Sequence, residues 1–275
     1  MLPAIGYALW RENRPALASP VVTAAEITFE RAEDPLNRPA TFDDARLDYV
    51  SLHALRLSPA SPEPPAASYL DALLSMADEY GADAVSDHLG FTRDGSGGVE
   101  LGHFAPPPFT AEARDATCRN LDAVQKRLAG RPFFLENIAS LFYFQGTMTE
   151  ADFLAGVLER TGCGWLLDVT NLYANGRNHG YDAEAFLARV VPVAPRIQMH
   201  LSGGFFDEKA GRYIDSHSRP VPDAVWDLYR HALRLGRGKV EAVFLERDLD
   251  FPDEATWLAE VAQARRIAEE VEAAS

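Results

Sequence analysis

Eight short, nearly uninterrupted apolar runs punctuate this chain, and longer segments of helical periodicity separate them. An apolar run without polar alternation is a strand covered on both faces. Alternation of such strands with amphipathic helices is the pattern of a parallel α/β fold. The runs fall at residues 4–9, 25–30, 48–53, 84–88, 132–136, 164–168, 196–200 and 242–246. Eight such repeats in 275 residues predict a closed (β/α)8 TIM barrel, with residues 1–275 as one domain. Helices are expected over 69–80, 110–128, 221–235 and 253–273. In the first, Leu70, Leu73, Leu74 and Ala77 share one stripe ahead of Gly81. Thr149-Glu150-Ala151-Asp152 resembles a capping box, opening a helix that buries Phe153, Leu154, Val157 and Leu158. Two connections, 90–108 and 202–220, are longer than a barrel needs, and such connections are where barrels usually meet substrates.

The chemistry is written at the ends of the runs. Runs three to eight close on His53, on Asp87-His88, on Glu136-Asn137, on Asp168 with Asn171 just behind it, on His200, and on Glu246-Arg247-Asp248. In a (β/α)8 barrel these ends converge on the C-terminal face, where barrel enzymes place their chemistry. Asp215-Ser216-His217 lies in the second long connection, and its i, i+2 spacing turns both side chains to one face of an extended segment. His53, His88, His200 and His217 can therefore meet Glu136, Asp168, Asp215 and Glu246 in one cavity. So many ionisable groups in a dry mouth repel one another or stay undersolvated unless cations are present. Imidazole and carboxylate without thiolate suit iron, manganese or zinc. Eight ligands are too many for one ion and suit two or three, with Glu136, central in the series, as the bridge. Asp87, Asn137, Arg247 and Asp248 flank the ligands and are expected to orient and tune them through hydrogen bonds. His231 falls in a helix and reads as surface or packing. His103 and His179 lie in connections, where they either face substrate and ligands or hold a loop. Phe142-Tyr143-Phe144 reads as packing.

Composition narrows the partners. The formal net charge of -15 and the lack of a basic run speak against nucleic acid. No stretch reaches the ~20 apolar residues of a membrane span, and the first seven residues carry no basic region of a signal peptide. Cys118 and Cys163 form no CxxC motif and read as small core residues, so a reducing, cytoplasmic setting is expected.

Several longer stretches carry a more specific signal: Ser86-Asp87-His88-Leu89, Leu135-Glu136-Asn137, Leu166-Leu167-Asp168-Val169-Thr170-Asn171, Asn178-His179-Gly180, Met199-His200-Leu201-Ser202-Gly203, Asp215-Ser216-His217 and Glu246-Arg247-Asp248. In this order they resemble the multinuclear iron-dependent oxidase family that includes the methanobactin and 3-thiaglutamate biosynthesis enzymes. That family lies within the xylose isomerase-like and endonuclease IV-like barrel superfamily. The resemblance implies two or three irons, mixed Fe(II) and Fe(III), on His53, His88, Glu136, Asp168, Asn171, His200, Asp215, His217 and Glu246. It implies oxidation by dioxygen of a residue, chiefly cysteine, in a ribosomally made precursor peptide whose leader a small partner protein binds. It gives catalytic support to Asp87, His179 and Asp248, the last two as proton relays. Endonuclease IV has a histidine at the place of Asn171, which weakens a third zinc position here and fits the oxidase branch. The chain departs from the family at Trp10-Arg11-Glu12-Asn13, where members carry Arg-x-x-His, and at Glu30-Arg31, where they carry Glu-Asn. Both segments belong to the substrate side.

Two other classes fit the same residues. One is a metal-dependent hydrolase or isomerase of that superfamily. Acidity and Asn171 count against a nuclease, and His53, His88 and the Asp-x-His pair exceed what a two-metal sugar isomerase uses. The other is a non-catalytic metal-binding scaffold, which needs no open coordination position.

Overall fold

The apolar runs form eight strands: β1 (Ala4–Ala8), β2 (Ala24–Thr28), β3 (Tyr49–His53), β4 (Ala84–His88), β5 (Phe133–Glu136), β6 (Gly164–Asp168), β7 (Ile197–Leu201) and β8 (Val240–Leu245). Each pairs in parallel with the next, and β8 pairs with β1, which closes the barrel. This computed structural model describes residues 2–39, 42, 47–93 and 100–274; residues 94–99 of the first long connection lie outside that set. The register places His88 beside Glu136 and Asp168 beside His200, so ligand types on adjacent strands reach the same rung. Small and aromatic side chains plug the barrel below them, with Ala24, Ala242 and Phe244 in one cluster and Ala84, Phe134 and Leu166 in another.

The helices are α1 (Phe29–Ala32), α2 (Ala67–Glu79), α3 (Ala111–Leu128), α4 (Glu150–Thr161), α5 (Val169–His179), α6 (Ala183–Val190), α7 (Asp223–Leu235) and α8 (Glu254–Ala273). Side-chain caps start several of them: Thr110 Oγ1 accepts from Ala113 N at 3.3 Å, Thr149 Oγ1 from Asp152 N at 3.1 Å, and Asp253 Oδ1 from Thr256 N at 2.9 Å. No helix among the described residues is long and apolar enough to cross a membrane.

The structure corrects the sequence reading in four places. The second run stops as a strand at Thr28, and Phe29–Ala32 turn helically. Glu30 is thereby fixed outside the barrel, accepting Leu55 N and the Tyr69 hydroxyl. The sequence reading placed no helix over α5 and α6, because the Asn- and Gly-rich stretch before Gly180 weakens the apolar stripe. Both long connections fold back as hairpins, Phe91–Arg93 on Glu100–Ala105 and Phe205–Asp207 on Arg212–Ile214. Of the Phe142-Tyr143-Phe144 run, Tyr143 packs against the core, while Phe142 and Phe144, each 45% exposed, touch each other and Phe91 at the surface.

Tyr143 is held because its hydroxyl donates to Glu150 Oε2 at 2.6 Å, and the Tyr181 hydroxyl reaches the same oxygen at 3.4 Å. Burial raises the Glu150 pKa from 4.5 to about 7, against the opposing effect of the two tyrosine hydrogen bonds. An acid whose folded pKa is raised binds more protons folded than unfolded between those values, so its contribution to stability falls as pH rises through that window. Glu150→Gln removes the ionisation. Urea unfolding of both proteins should show the variant gaining on the wild type, by on the order of 2–3 kcal/mol, between about pH 4.5 and about pH 7.5. Parallel stability–pH curves for the two proteins would refute the assignment.

Candidate metal centre

Four overlapping triplets of side chains offer ligand atoms within 4.8 Å of one another: His53, His88 and Glu136; Glu136, Asp168 and His200; Asp168, His217 and Glu246; and Glu26, His200 and Glu246. Because neighbouring triplets share residues, they form one continuous belt across the barrel mouth. Glu136 sits at its centre, with Oε2 3.6 Å from His53 Nε2 and 3.4 Å from His88 Nε2, and Oε1 3.6 Å from His200 Nδ1. Glu246 Oε2 lies 3.2 Å from His200 Nδ1 and 3.7 Å from His217 Nδ1. Asp215 Oδ2 is 2.8 Å from His217 Nε2. The belt floors a cavity of about 270 Å³ whose walls include Phe104, Leu141 and Tyr213.

The strands place most of these groups, but Asp215 and His217 need their loop held down. Gly203 does this by close approach: a Cβ there would sit 2.1 Å from Arg219 O and 2.2 Å from Pro220 O. The Gly203 carbonyl accepts Ser218 N at 3.0 Å and Arg219 N at 3.1 Å. His217 itself has φ +49°, an uncommon conformation for a residue with a side chain. Its carbonyl accepts Asp248 N at 2.9 Å, which ties the loop to the end of β8.

The belt is short of hydrogen-bond donors. Both Glu26 oxygens, Glu136 Oε2, Asp168 Oδ2, Asn171 Oδ1, both His200 nitrogens, His217 Nδ1 and Glu246 Oε2 are buried without a hydrogen-bond partner among the described residues. His200 Nε2 and Glu26 Oε1 are 2.9 Å apart, yet they are not aligned as a hydrogen bond. Native proteins leave few buried polar atoms unpaired, and lone pairs converging without donors are what a cation satisfies. Carboxylate oxygens, imidazole nitrogens and one amide oxygen make a donor set that fits first-row transition metals.

The groups are also strongly coupled. Burial alone would lower the His200 pKa, but Glu246, Glu26 and Glu136 outweigh it and hold it well above 6.5. The same contest, with Asp215 and Glu246 winning over burial, raises His217 well above 6.5. His88 is raised because Glu136 and Asp87 overcome burial. His53 goes the other way, lowered well below 6.5 by burial and then by His88 and His200. Asp168 is raised well above 3.8 by burial and by Asp215, Glu136 and Glu246. Glu246 is lowered, since His200 and His217 outweigh its burial.

Around the belt stand groups that fix its side chains. Ser86 Oγ lies 2.9 Å from His53 Nδ1. Asp87, fully buried, accepts Leu57 N at 2.8 Å and His88 N at 2.6 Å, with His88 Nδ1 3.3 Å away. Asn137 Oδ1 accepts Trp165 Nε1 and Asp168 N, while its Nδ2 donates to Asp168 O. Asn171 Nδ2 donates to Asn137 O at 3.1 Å, and its N–H caps onto Asp168 Oδ1 at 2.7 Å. Asp248 Oδ2 is 3.1 Å from His217 Nδ1, and its Oδ1 accepts Trp10 Nε1 at 3.0 Å with Arg31 Nη2 at 3.5 Å. The Arg31 guanidinium lies 3.1 Å over the Trp10 ring, so the Trp10 and Arg31 segments meet on Asp248.

Three flanking residues face elsewhere. Arg247 donates to Glu260 Oε2 at 3.1 Å rather than to a belt residue. His179 is not brought into the belt; its Nε2 is 2.7 Å from Ser140 O, its ring lies 4.1 Å from that of Tyr143, and it lines a neighbouring cavity. His103 is exposed on the first hairpin, Nδ1 3.0 Å from Leu101 O. The residue that sequence reading missed is Glu26. The available signal was a lone glutamate inside an otherwise apolar run, obscured by the expectation that the run ended on Glu30.

Comparison with known proteins follows the same lines. The chain is 40% identical over 222 residues to a UPF0276 protein of Rhizorhabdus wittichii, covering 80% of this chain and 76% of the relative. It is 39% identical over 251 residues to a UPF0276 protein of Caulobacter vibrioides, covering 90% and 86%. Among solved structures, endonuclease IV from Thermus thermophilus aligns with a TM-score of 0.58 at 14% identity, covering 98% of this chain and 100% of that one. A xylose isomerase-like TIM barrel protein from Mycobacterium smegmatis in complex with magnesium aligns with a TM-score of 0.57 at 13% identity, covering 98% of each chain. At such identities these two structures establish the fold alone. Residues 11–269 match the family described as RiPP precursor modification enzyme MbnB/TglH/ChrH, RiPP denoting a ribosomally made, post-translationally modified peptide. The chain belongs to the MbnB/TglH/ChrH family.

Proposed function

We propose that the belt is a multinuclear iron centre and that the enzyme uses dioxygen to oxidise a residue, chiefly cysteine, of a ribosomally made precursor peptide. The observation that carries this reading is the set of buried, unpartnered nitrogen and oxygen atoms converging at the barrel mouth, in a chain of the RiPP precursor modification family. In it, His53, His88, Glu136, Asp168, Asn171, His200, Asp215, His217 and Glu246 hold two or three irons, with Glu136 as the bridge. Bound iron would supply the one-electron chemistry with dioxygen that amino-acid side chains lack.

The chain's own groups have distinct tasks. Asp87 accepts the Nδ1–H of His88, which leaves Nε2 facing Glu136. Phe104 stacks on the His88 ring with centroids 3.8 Å apart, which stiffens that ligand and shields it from water. Asp248, its side chain 43% exposed, lies between His217 and the partly buried Arg31–Trp10 pair, so it can carry protons between the cavity and solvent. His179, held on the Ser140 carbonyl and lining the neighbouring cavity, takes no relay role. Phe142 and Phe144, half-exposed beside the cavity mouth, offer an apolar landing for the peptide. The acidic chain favours a basic peptide leader or a small basic partner protein that presents it. Residues 1–275 would act as one cytoplasmic barrel domain.

Protein purified without oxygen and supplied with ferrous iron should retain about two to three irons per chain, and a cysteine-bearing precursor peptide should trigger oxygen uptake. His88→Ala and Asp168→Ala should each lose both. A native preparation that holds only zinc or manganese would sink the oxidase reading in favour of a hydrolase or isomerase.

Metal binding should also weaken in acid. The carboxylates keep protons on His88, His200 and His217, and a metal must displace them. Each displaced proton makes affinity fall about tenfold per pH unit below the group's pKa. Competition titrations with a redox-silent divalent ion at about pH 8 and about pH 6 check this; equal affinities would contradict it.

A further inference from the structure

Glu26 is fully buried, 0% exposed, and neither carboxylate oxygen has a hydrogen-bond partner among the described residues. Its neighbours in strand register are Ala8 on β1 and Ser51 on β3, neither of them charged. Its Oε1 lies 2.9 Å from His200 Nε2. The other nitrogen of the same ring, Nδ1, faces Glu246 at 3.2 Å and Glu136 at 3.6 Å. The His200 ring, fully buried and edge-on to Phe244 with centroids 6.1 Å apart, thus separates two surroundings. On the Nδ1 side is the belt of ligand atoms. On the Nε2 side is Glu26, with an oxygen still within 4.8 Å of Glu246 and with uncharged strand neighbours.

A neutral imidazole donates from one nitrogen and accepts at the other, and an ionised carboxylate only accepts. We propose that Glu26 is a positioning residue: its Oε1, 2.9 Å from His200 Nε2 but out of line for a hydrogen bond, takes the Nε2–H once the ring aligns on a metal at Nδ1, and so presents the Nδ1 lone pair to the metal belt. The proposal rests on reading that belt as a metal centre. The reverse arrangement, a metal on Nε2, finds Glu26 against that nitrogen, whereas Nδ1 has both Glu136 and Glu246 within 3.6 Å. A partner of this kind fixes the ring and strengthens the ligand, which is a reason to keep an acid where an apolar residue would pack at lower cost.

Zinc is a suitable redox-silent probe. Glu26→Gln keeps the shape and removes the charge. It should fold with the wild-type circular dichroism and bind zinc ~10- to 100-fold more weakly, and Glu26→Ala should lose at least as much. Long-range proton–nitrogen NMR of zinc-loaded wild type should show His200 protonated at Nε2 and metal-bound at Nδ1. Unchanged zinc affinity in folded Glu26→Gln would overturn the proposal. So would a metal-bound Nε2, which would make Glu26 a ligand itself. If neither variant folds, the wild-type spectrum alone decides. A wild type that binds no zinc would instead overturn the metal centre, a result read before any variant is made.

Discussion

Closing eight parallel strands into a barrel brings their C-terminal ends to one small, dry mouth, and in this protein those ends are charged. Glu26, Glu136, Asp168, Glu246, His53, His88 and His200 share a volume in which none is fully hydrated and several buried atoms have no donor. A carboxylate stripped of water is expensive unless something compensates it. Everything around the mouth follows from that strain. The strand register aligns opposite ligand types, the plug of alanines and aromatics below keeps the barrel rigid, and the second long connection brings Asp215 and His217 to close the ring.

Rigidity of the surroundings matters as much as the ligands. Asn137 locks the end of β6 through both of its amide atoms, and Asp168 caps α5, so a side chain of the belt is also part of the scaffold. Asp87 is tied to two backbone amides. The opposite wall is different in kind. There Trp10, Arg31 and Asp248 form a cluster reaching toward solvent. Most of the candidate ligand groups thus sit on strands, and this wall is built from connections.

Much of this was legible beforehand, for a physical reason. A strand covered on both faces writes itself as an apolar run, and a polar residue ending such a run is conspicuous. His53, His88, Glu136, Asp168, His200 and Glu246 were found that way. Glu26 was not, because one glutamate inside a run can face the barrel interior or mark a bulge, and only pairing with β1 and β3 decides. Arg247 looked like Asp248 in sequence; adjacent residues point in opposite directions, and Arg247 turned to Glu260. His179 stands in a stretch whose sequence resembles the family, yet the C-terminal end of α5 carries it to the neighbouring cavity.

The sequence by itself determined the barrel, the strand order and the chemical nature of the mouth, since apolar periodicity and residue type are local properties that survive in a string. Tertiary structure alone decided which atoms face one another. The centrality of Glu136, the two-sided environment of His200 and the meeting of Trp10, Arg31 and Asp248 depend on strand register and on a loop held by Gly203. A shift of one residue in a strand turns a side chain from the mouth to the helix layer, and nothing local to the residue records the difference.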